Sequence, residues 1–143
     1  MISSGLFPIS KKGYPYFAFF NCCAVVPFYR DDKIVYLQGI TRSELRDNKT
    51  PKVFNLTGIQ KEELYIPKRL DQKPIHLCEG VITSLFFISQ HLDSIAILSA
   101  SKQLEKIIAE LMPYKNREFI LCPDVDAKAI GLEMFEKLKP ELY

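Results

Sequence analysis

Glu79, Asp124 and Asp126 are the residues of this 143-residue chain best suited to chemistry. Glu79 follows the apolar run Pro74–Cys78 and stands before Gly80. Asp124 and Asp126 follow a second apolar run, Glu118–Cys122, and a third run, Ser94–Leu98, opens into Ser99-Ala100-Ser101. Each run reads as a strand, and each is followed by a helical pattern. In a parallel α/β sheet, strand ends that feed helices lie along one edge, where ligands bind. That placement predicts that Glu79 converges with the Asp124/Asp126 pair. Two aspartates two residues apart on extended chain point to the same side, and carboxylate oxygens suit a hard cation such as Mg²⁺. Asp126 directly precedes a helical pattern, so it also has a reading as a helix N-cap; Asp124 does not. Glu79 fits either a metal ligand or a general acid/base.

The elements that must position these groups are legible in the second half of the chain. Apolar spacing predicts helices over about Val81–Gln90, Lys102–Met112 and Ala127–Lys139. The second repeats Leu104, Ile107, Ile108 and Leu111 at i, i+3, i+4, i+7 and stops at Pro113; the third stops at Pro140. The rhythm is βαβαβα, with strand-to-strand spacings near twenty residues, as right-handed crossovers in a parallel sheet require. The class is α/β.

The first half is built otherwise. Phe17–Phe20 and Cys23–Phe28 are apolar and aromatic, and Arg30-Asp31-Asp32-Lys33 is a polar turn into Ile34–Leu37, which predicts a hairpin. Gly39 interrupts that pattern, and Arg42–Thr50 has no apolar period and reads as a loop. Lys52–Asn55 is a short strand, Gln60–Leu64 a single helical turn, and the charged, proline-bounded Pro67–Pro74 the junction. The expected division is therefore a small α+β, strand-rich subdomain over 1–73 and an α/β domain over 74–143.

Charge follows the same division. Residues 1–73 hold 12 Lys/Arg and 7 Asp/Glu, a net +5; residues 74–143 hold 7 and 10, a net −3. A basic half beside an acidic half suits a polyanion platform joined to a cation-binding site. Lys52 with Asn55, and Arg42, Arg46 and Lys49, are the groups able to touch phosphates and base edges. Phe17, Phe19 and Phe20 are able to stack on bases, although strand aromatics more often serve a core. At 48% hydrophobic and 25% charged, the composition excludes a disordered chain. No apolar run approaches the roughly 18 residues of a membrane span, and the start lacks the basic and apolar regions of a signal peptide. The expectation is a soluble, cytoplasmic protein with no membrane contact. Cys22, Cys23, Cys78 and Cys122 form no C-x-x-C pair and read as reduced core thiols. A zinc site from His76, Cys78 and Cys122 would fit no known structural spacing.

Taken together, these residues resemble the Toprim domain of bacterial, phage and plasmid DnaG-type primases. Glu79-Gly80 looks like that family's first motif and Asp124-x-Asp126 like its second. The upstream order of Gly5-Leu6, the aromatic segment, Val25–Phe28, the turn, Ile34–Gly39 and Pro51–Asn55 is similar to the segment preceding Toprim in those primases. The resemblance implies a Toprim-like parallel sheet flanked by helices, with Glu79, Asp124 and Asp126 both catalytic and holding Mg²⁺ (or Mn²⁺). It implies that Lys52, Asn55 and Arg42 contact nucleic acid or nucleotide. The implied partners are a single-stranded DNA template, ribonucleoside triphosphates and a replicative helicase reached through parts not present. Three positions depart from the family pattern: Cys23 stands for an Arg, Ala129 for a Gly, and Ser99–Ser101 lacks a Gly. The final Toprim strand would fall past Tyr143, so the sequence reads as a fragment of a longer protein or a reduced relative. The implied function is Mg²⁺-dependent, template-directed RNA primer synthesis in replication. Two alternatives accompany it: a non-catalytic nucleic-acid-binding Toprim module of a replication protein, and a Toprim nuclease or topoisomerase-like fragment.

Overall fold

Asp31 and Asp32 both adopt left-handed backbone, at φ 49° and 61°, the conformation a two-residue type I′ hairpin turn demands at each central position. They join β1 (Cys22–Arg30) to β2 (Lys33–Thr41) in antiparallel register, with Arg30 opposite Lys33. The computed structural model describes residues 8–45, 50–56, 64–71, 74–98, 104–124, 133 and 136–138. The protein is a mixed α/β chain in two units, Met1–Lys61 and Glu62–Tyr143.

In the first unit, β3 (Val53–Asn55) pairs with the far side of β2, giving the order β1-β2-β3. Val26 faces Gln38 and Phe28 faces Tyr36, and all four are buried on one side of the sheet. The Phe28 and Tyr36 rings meet edge to face at 5.3 Å. Gly39 does not end the strand, as its type suggested; it lies inside β2, opposite Val25. A Cβ there would stand 2.3 Å from Cys22 Sγ and 2.6 Å from Phe19 Cδ1, so the glycine is needed because other side chains press on its backbone. Phe17–Phe20 belongs to a turn rather than to a strand, with Phe20 N–H donating to Phe17 O and Cys22 N–H to Phe19 O. Of its aromatics, Phe19 is buried while Phe17 and Phe20 are exposed. Cys23 is likewise exposed, not a core thiol, because it falls on the open side at a register shift in β1.

In the second unit, β4 (Leu64–Tyr65), β5 (Ile75–Cys78), β6 (Asp93–Ile97) and β7 (Phe119–Cys122) form a sheet in the order β4-β6-β5-β7. The pairs β5–β6 and β5–β7 are parallel, and β4 lies antiparallel on β6. Leu64 therefore belongs to a strand, not to a helical turn, and the unit begins before the expected junction at Pro67–Pro74. The physical reason is that Leu64 and Tyr65 pair with Ile97 and Ala96, which ties them to the parallel sheet.

Alternation along the strands separates two faces. Ile75, Leu77, Ile95, Ile97 and Phe119 pack with Leu64, Leu138, and Ile107 and Leu111 of α2 (Leu104–Leu111). Burying side chains of this size contributes roughly 1.5–3 kcal/mol each before chain entropy is counted. The other face carries His76, Cys78, Ser94 and Ala96 beneath α1 (Val81–Ser89), with His76 stacked on Phe87 at 4.8 Å. Of the expected third helix, Glu133 and residues 136–138 are described and are helical; the rest lies outside the described residues. Among the described residues, no helix is long and apolar enough to cross a membrane.

Candidate active site

Cys78 and Cys122 are register partners on the adjoining parallel strands β5 and β7. The chain leaves β5 through Glu79-Gly80 and β7 through Pro123-Asp124. Neighbouring strands lie about 5 Å apart, so the segments carrying Glu79 and Asp124 leave adjoining strands at the carboxyl edge. The strand order adds to this. The chain passes from β5 to β6 on one side and then crosses to β7 on the other, which makes the gap between β5 and β7 a switch point, where open α/β sheets bind ligands.

Each carboxylate has a defined setting. Glu79 is half-buried, and its Oε1 is turned away from solvent. Gly80, the N-cap of α1, has open space where a Cβ would stand, and Ser84 N–H donates to its carbonyl at 3.0 Å. Glu79 thus sits beside the positive end of a helix, which favours negative charge there. Asp124 is exposed, and its charge reaches the Cys78 thiol. Burial above all pushes the Cys78 thiol up; hydrogen bonds to Ser94 and Gly80 draw it partly back, and Cys122 and Asp124 add the smallest upward contributions. Burial also raises Cys122. Both thiols at this edge are therefore held neutral, and the anionic donors are carboxylate oxygens.

Such a donor set fits Mg²⁺ or Mn²⁺, which take one or two carboxylates and complete their shell with water and phosphate oxygens. Glu79 and Asp124 would hold the ion. Asp126, and with it the Asp124-x-Asp126 pairing, lies outside the described residues, as does Ser99–Ser101. Among the described residues no three His, Cys, Asp or Glu side chains gather into a metal-binding group, so His76, Cys78 and Cys122 do not form a zinc centre. His76 Nδ1 instead meets Asp93 O at 3.0 Å.

The basic-site residues lie on the first unit. Lys52 and Arg42 are exposed, and Thr41 N–H donates to Lys52 O at 3.0 Å just beyond the paired ends of β2 and β3. Asn55 is fixed differently. Its Oδ1 accepts hydrogen bonds from Tyr36 Oη (3.0 Å) and Gln38 Nε2 (2.8 Å). Burial raises the Tyr36 hydroxyl, outweighing a hydrogen bond to Leu56, so it remains a neutral donor. Asn55 thus holds β3 to β2, and its amide N–H groups are what it can offer a ligand.

Sequence reasoning missed a cavity of about 480 Å³ in the same unit, lined by Tyr16, Phe20, Asn21, Cys22, Thr41 and Phe54 among others. Tyr16 reaches it through a small hairpin in which Ile9 bridges Pro15 and Gly13 turns at φ 82°. The available signal was the run of aromatics at Tyr14, Tyr16, Phe17 and Phe20, more than one small strand can bury. No family model matches the chain, and no curated protein or solved structure matches it.

Proposed function

We propose that the chain is the catalytic core of a primase-type nucleotidyltransferase with a Toprim-like sheet, making RNA primers on single-stranded DNA in the cytoplasm. The observation that carries this reading is the Cys78–Cys122 register, which brings Glu79 and Asp124 to adjoining strand ends at a switch point. Glu79 and Asp124, with Asp126 two residues on in the sequence, would hold Mg²⁺ or Mn²⁺. A divalent cation bound there supplies neutralisation of a triphosphate and activation of an attacking hydroxyl. Glu79 also stands beside a helix N-terminus, where negative charge is favoured. Lys52 and Arg42 supply cations for phosphate oxygens, and the Asn55 amide supplies a donor.

A non-catalytic nucleic-acid-binding module is the second reading. It is favoured by the exposed cations and aromatic cavity of the first unit, which need no metal. Calorimetric titration of Mg²⁺ and Mn²⁺ separates the two. The primase reading expects binding heat from the wild type that Asp124→Ala and Glu79→Gln each lose. No heat from the wild type, or the same heat from all three, would leave the module reading in its place. Primer synthesis from labelled ribonucleotides on a single-stranded template then checks the reaction itself.

A further inference from the structure

We infer that the cavity beside Tyr16 and Phe20 receives one unpaired base of a single-stranded nucleic acid, with the adjoining phosphates held by Arg42 and Lys52. This deepens the nucleic-acid reading above and rests on it, but it does not use the carboxylate edge.

The lining has the composition such a base needs. Tyr16 and Phe20 stand 42% and 60% exposed, their rings perpendicular at 6.0 Å. Large aromatics left this open add nothing to a core, whereas every nucleobase offers a face on which they can stack. Phe54 lines the same cavity and is braced edge to face at 5.6 Å by Phe19, itself 2% exposed. Asn21 and Thr41 line it beside the aromatics, the mixture of mainly apolar wall and few polar residues that ligand sites show. At about 480 Å³ the space is within the roughly 300–1,000 Å³ of small-ligand sites. Phe19 and Cys22 lie close against Gly39 of β2.

Charge selects the occupant. Arg42 N–H donates to the carbonyl of Asn21 at 3.2 Å, and Lys52 O accepts from Thr41 N–H at 3.0 Å. Each cation is thereby tied by its backbone to a residue of the lining. The Arg42 charge is felt there: burial first, and Cys23 second, raise the Cys22 thiol, while Arg42 draws it down. The segments that build the cavity, residues 8–22, 41–45 and 50–56, carry Lys11, Lys12, Arg42 and Lys52 against the single acid Glu44. A neutral aromatic ligand would have no use for that excess. A base attached to a phosphodiester chain uses both the rings and the cations.

The test is fluorescence anisotropy with a labelled single-stranded oligonucleotide and a matching strand in which abasic sites replace the bases. The wild type should bind the abasic strand roughly tenfold more weakly. Tyr16→Ala and Phe20→Ala should weaken binding of the normal strand by a similar factor and leave abasic binding unchanged. The chain has no tryptophan, so Phe20→Trp gives a single reporter, whose emission should be quenched by the normal strand only. Equal binding of both strands, or Trp emission that neither strand alters, would overturn the cavity assignment and spare the wider reading. No binding of either strand would overturn both.

Discussion

Asp93 and Asp124 stand at opposite ends of one sheet, and their surroundings show two uses of a carboxylate. Asp93 opens β6 at the amino end and is buried. One of its oxygens pairs with the Arg117 guanidinium, and the other accepts the Asp71 N–H at 2.8 Å. Both oxygens are spent on joining the chain before β5 and the chain before β7 to the start of β6. Asp124 leaves β7 at the carboxyl end, exposed, next to the exit of β5 where Glu79 stands. The buried acid holds the sheet together; the exposed one is placed to meet a solute. Acid content alone separates nothing here, while position along the strand does.

The contrast can be broken most severely at Arg117. Arg117→Ala should leave Asp93 buried without its cation and lower stability by about 3–5 kcal/mol, read by urea unfolding, with no change in metal heat per folded molecule. Asp124→Asn should do the reverse. It is expected to weaken Mg²⁺ or Mn²⁺ by at least tenfold, about 1.4 kcal/mol, while the urea curve moves by less than about 0.5 kcal/mol. If Asp124→Asn proved the more destabilising of the two, the assignment of structural and functional ends would be reversed.

A smaller effect tests the thiols beside Asp124. Cys78 should alkylate far more slowly than exposed Cys23, as peptide mass mapping would show. Its folded-state value is raised, chiefly by burial. The stability it contributes is therefore complete below the ordinary thiol range and is lost as pH climbs through and beyond it. Unfolding midpoints should fall between about pH 8 and pH 10, and Asp124→Asn, which removes a minor cause, should speed Cys78 alkylation slightly. The smallest effect concerns an exposed ion pair, Lys137 with Glu133 at 2.6 Å. The hydrogen bond and charge of Lys137 lower Glu133, so any stability it adds is present above the ordinary carboxylate range and fades as pH falls. Lys137→Ala should return the Glu133 midpoint, followed by NMR titration, toward its ordinary value with hardly any change in unfolding.

The sheet edge was legible because short apolar runs ending in Glu79 and Asp124 carry their own punctuation, glycine after one and proline within the other. The two-residue turn at Asp31-Asp32 was legible for the same reason. The Leu64–Tyr65 strand was not: two residues hold no period, and only pairing with Ile97 and Ala96 gives them a structure. Gly39 misled because a glycine inside a strand looks like an interruption unless the ring that covers it is known. Asp93 and Arg117 went unnoticed because an ion pair between residues 24 apart leaves no local pattern. The cavity depends on whether an aromatic faces in or out, which Phe19 and Phe20 decide oppositely although they are neighbours.

The central place of β5 has a consequence for how the chain is made. β5 leaves the ribosome before either of the strands that flank it, β6 and then β7. Until Phe119–Cys122 has been synthesised, one whole rim of β5 presents unpaired N–H and C=O groups beside Ile75 and Leu77. An open apolar rim of this kind recruits other chains. A product cut anywhere between Leu98 and Phe119 keeps that rim permanently, and is expected to collect in the insoluble fraction, whereas one ending after Cys122 has both neighbours of β5 in hand.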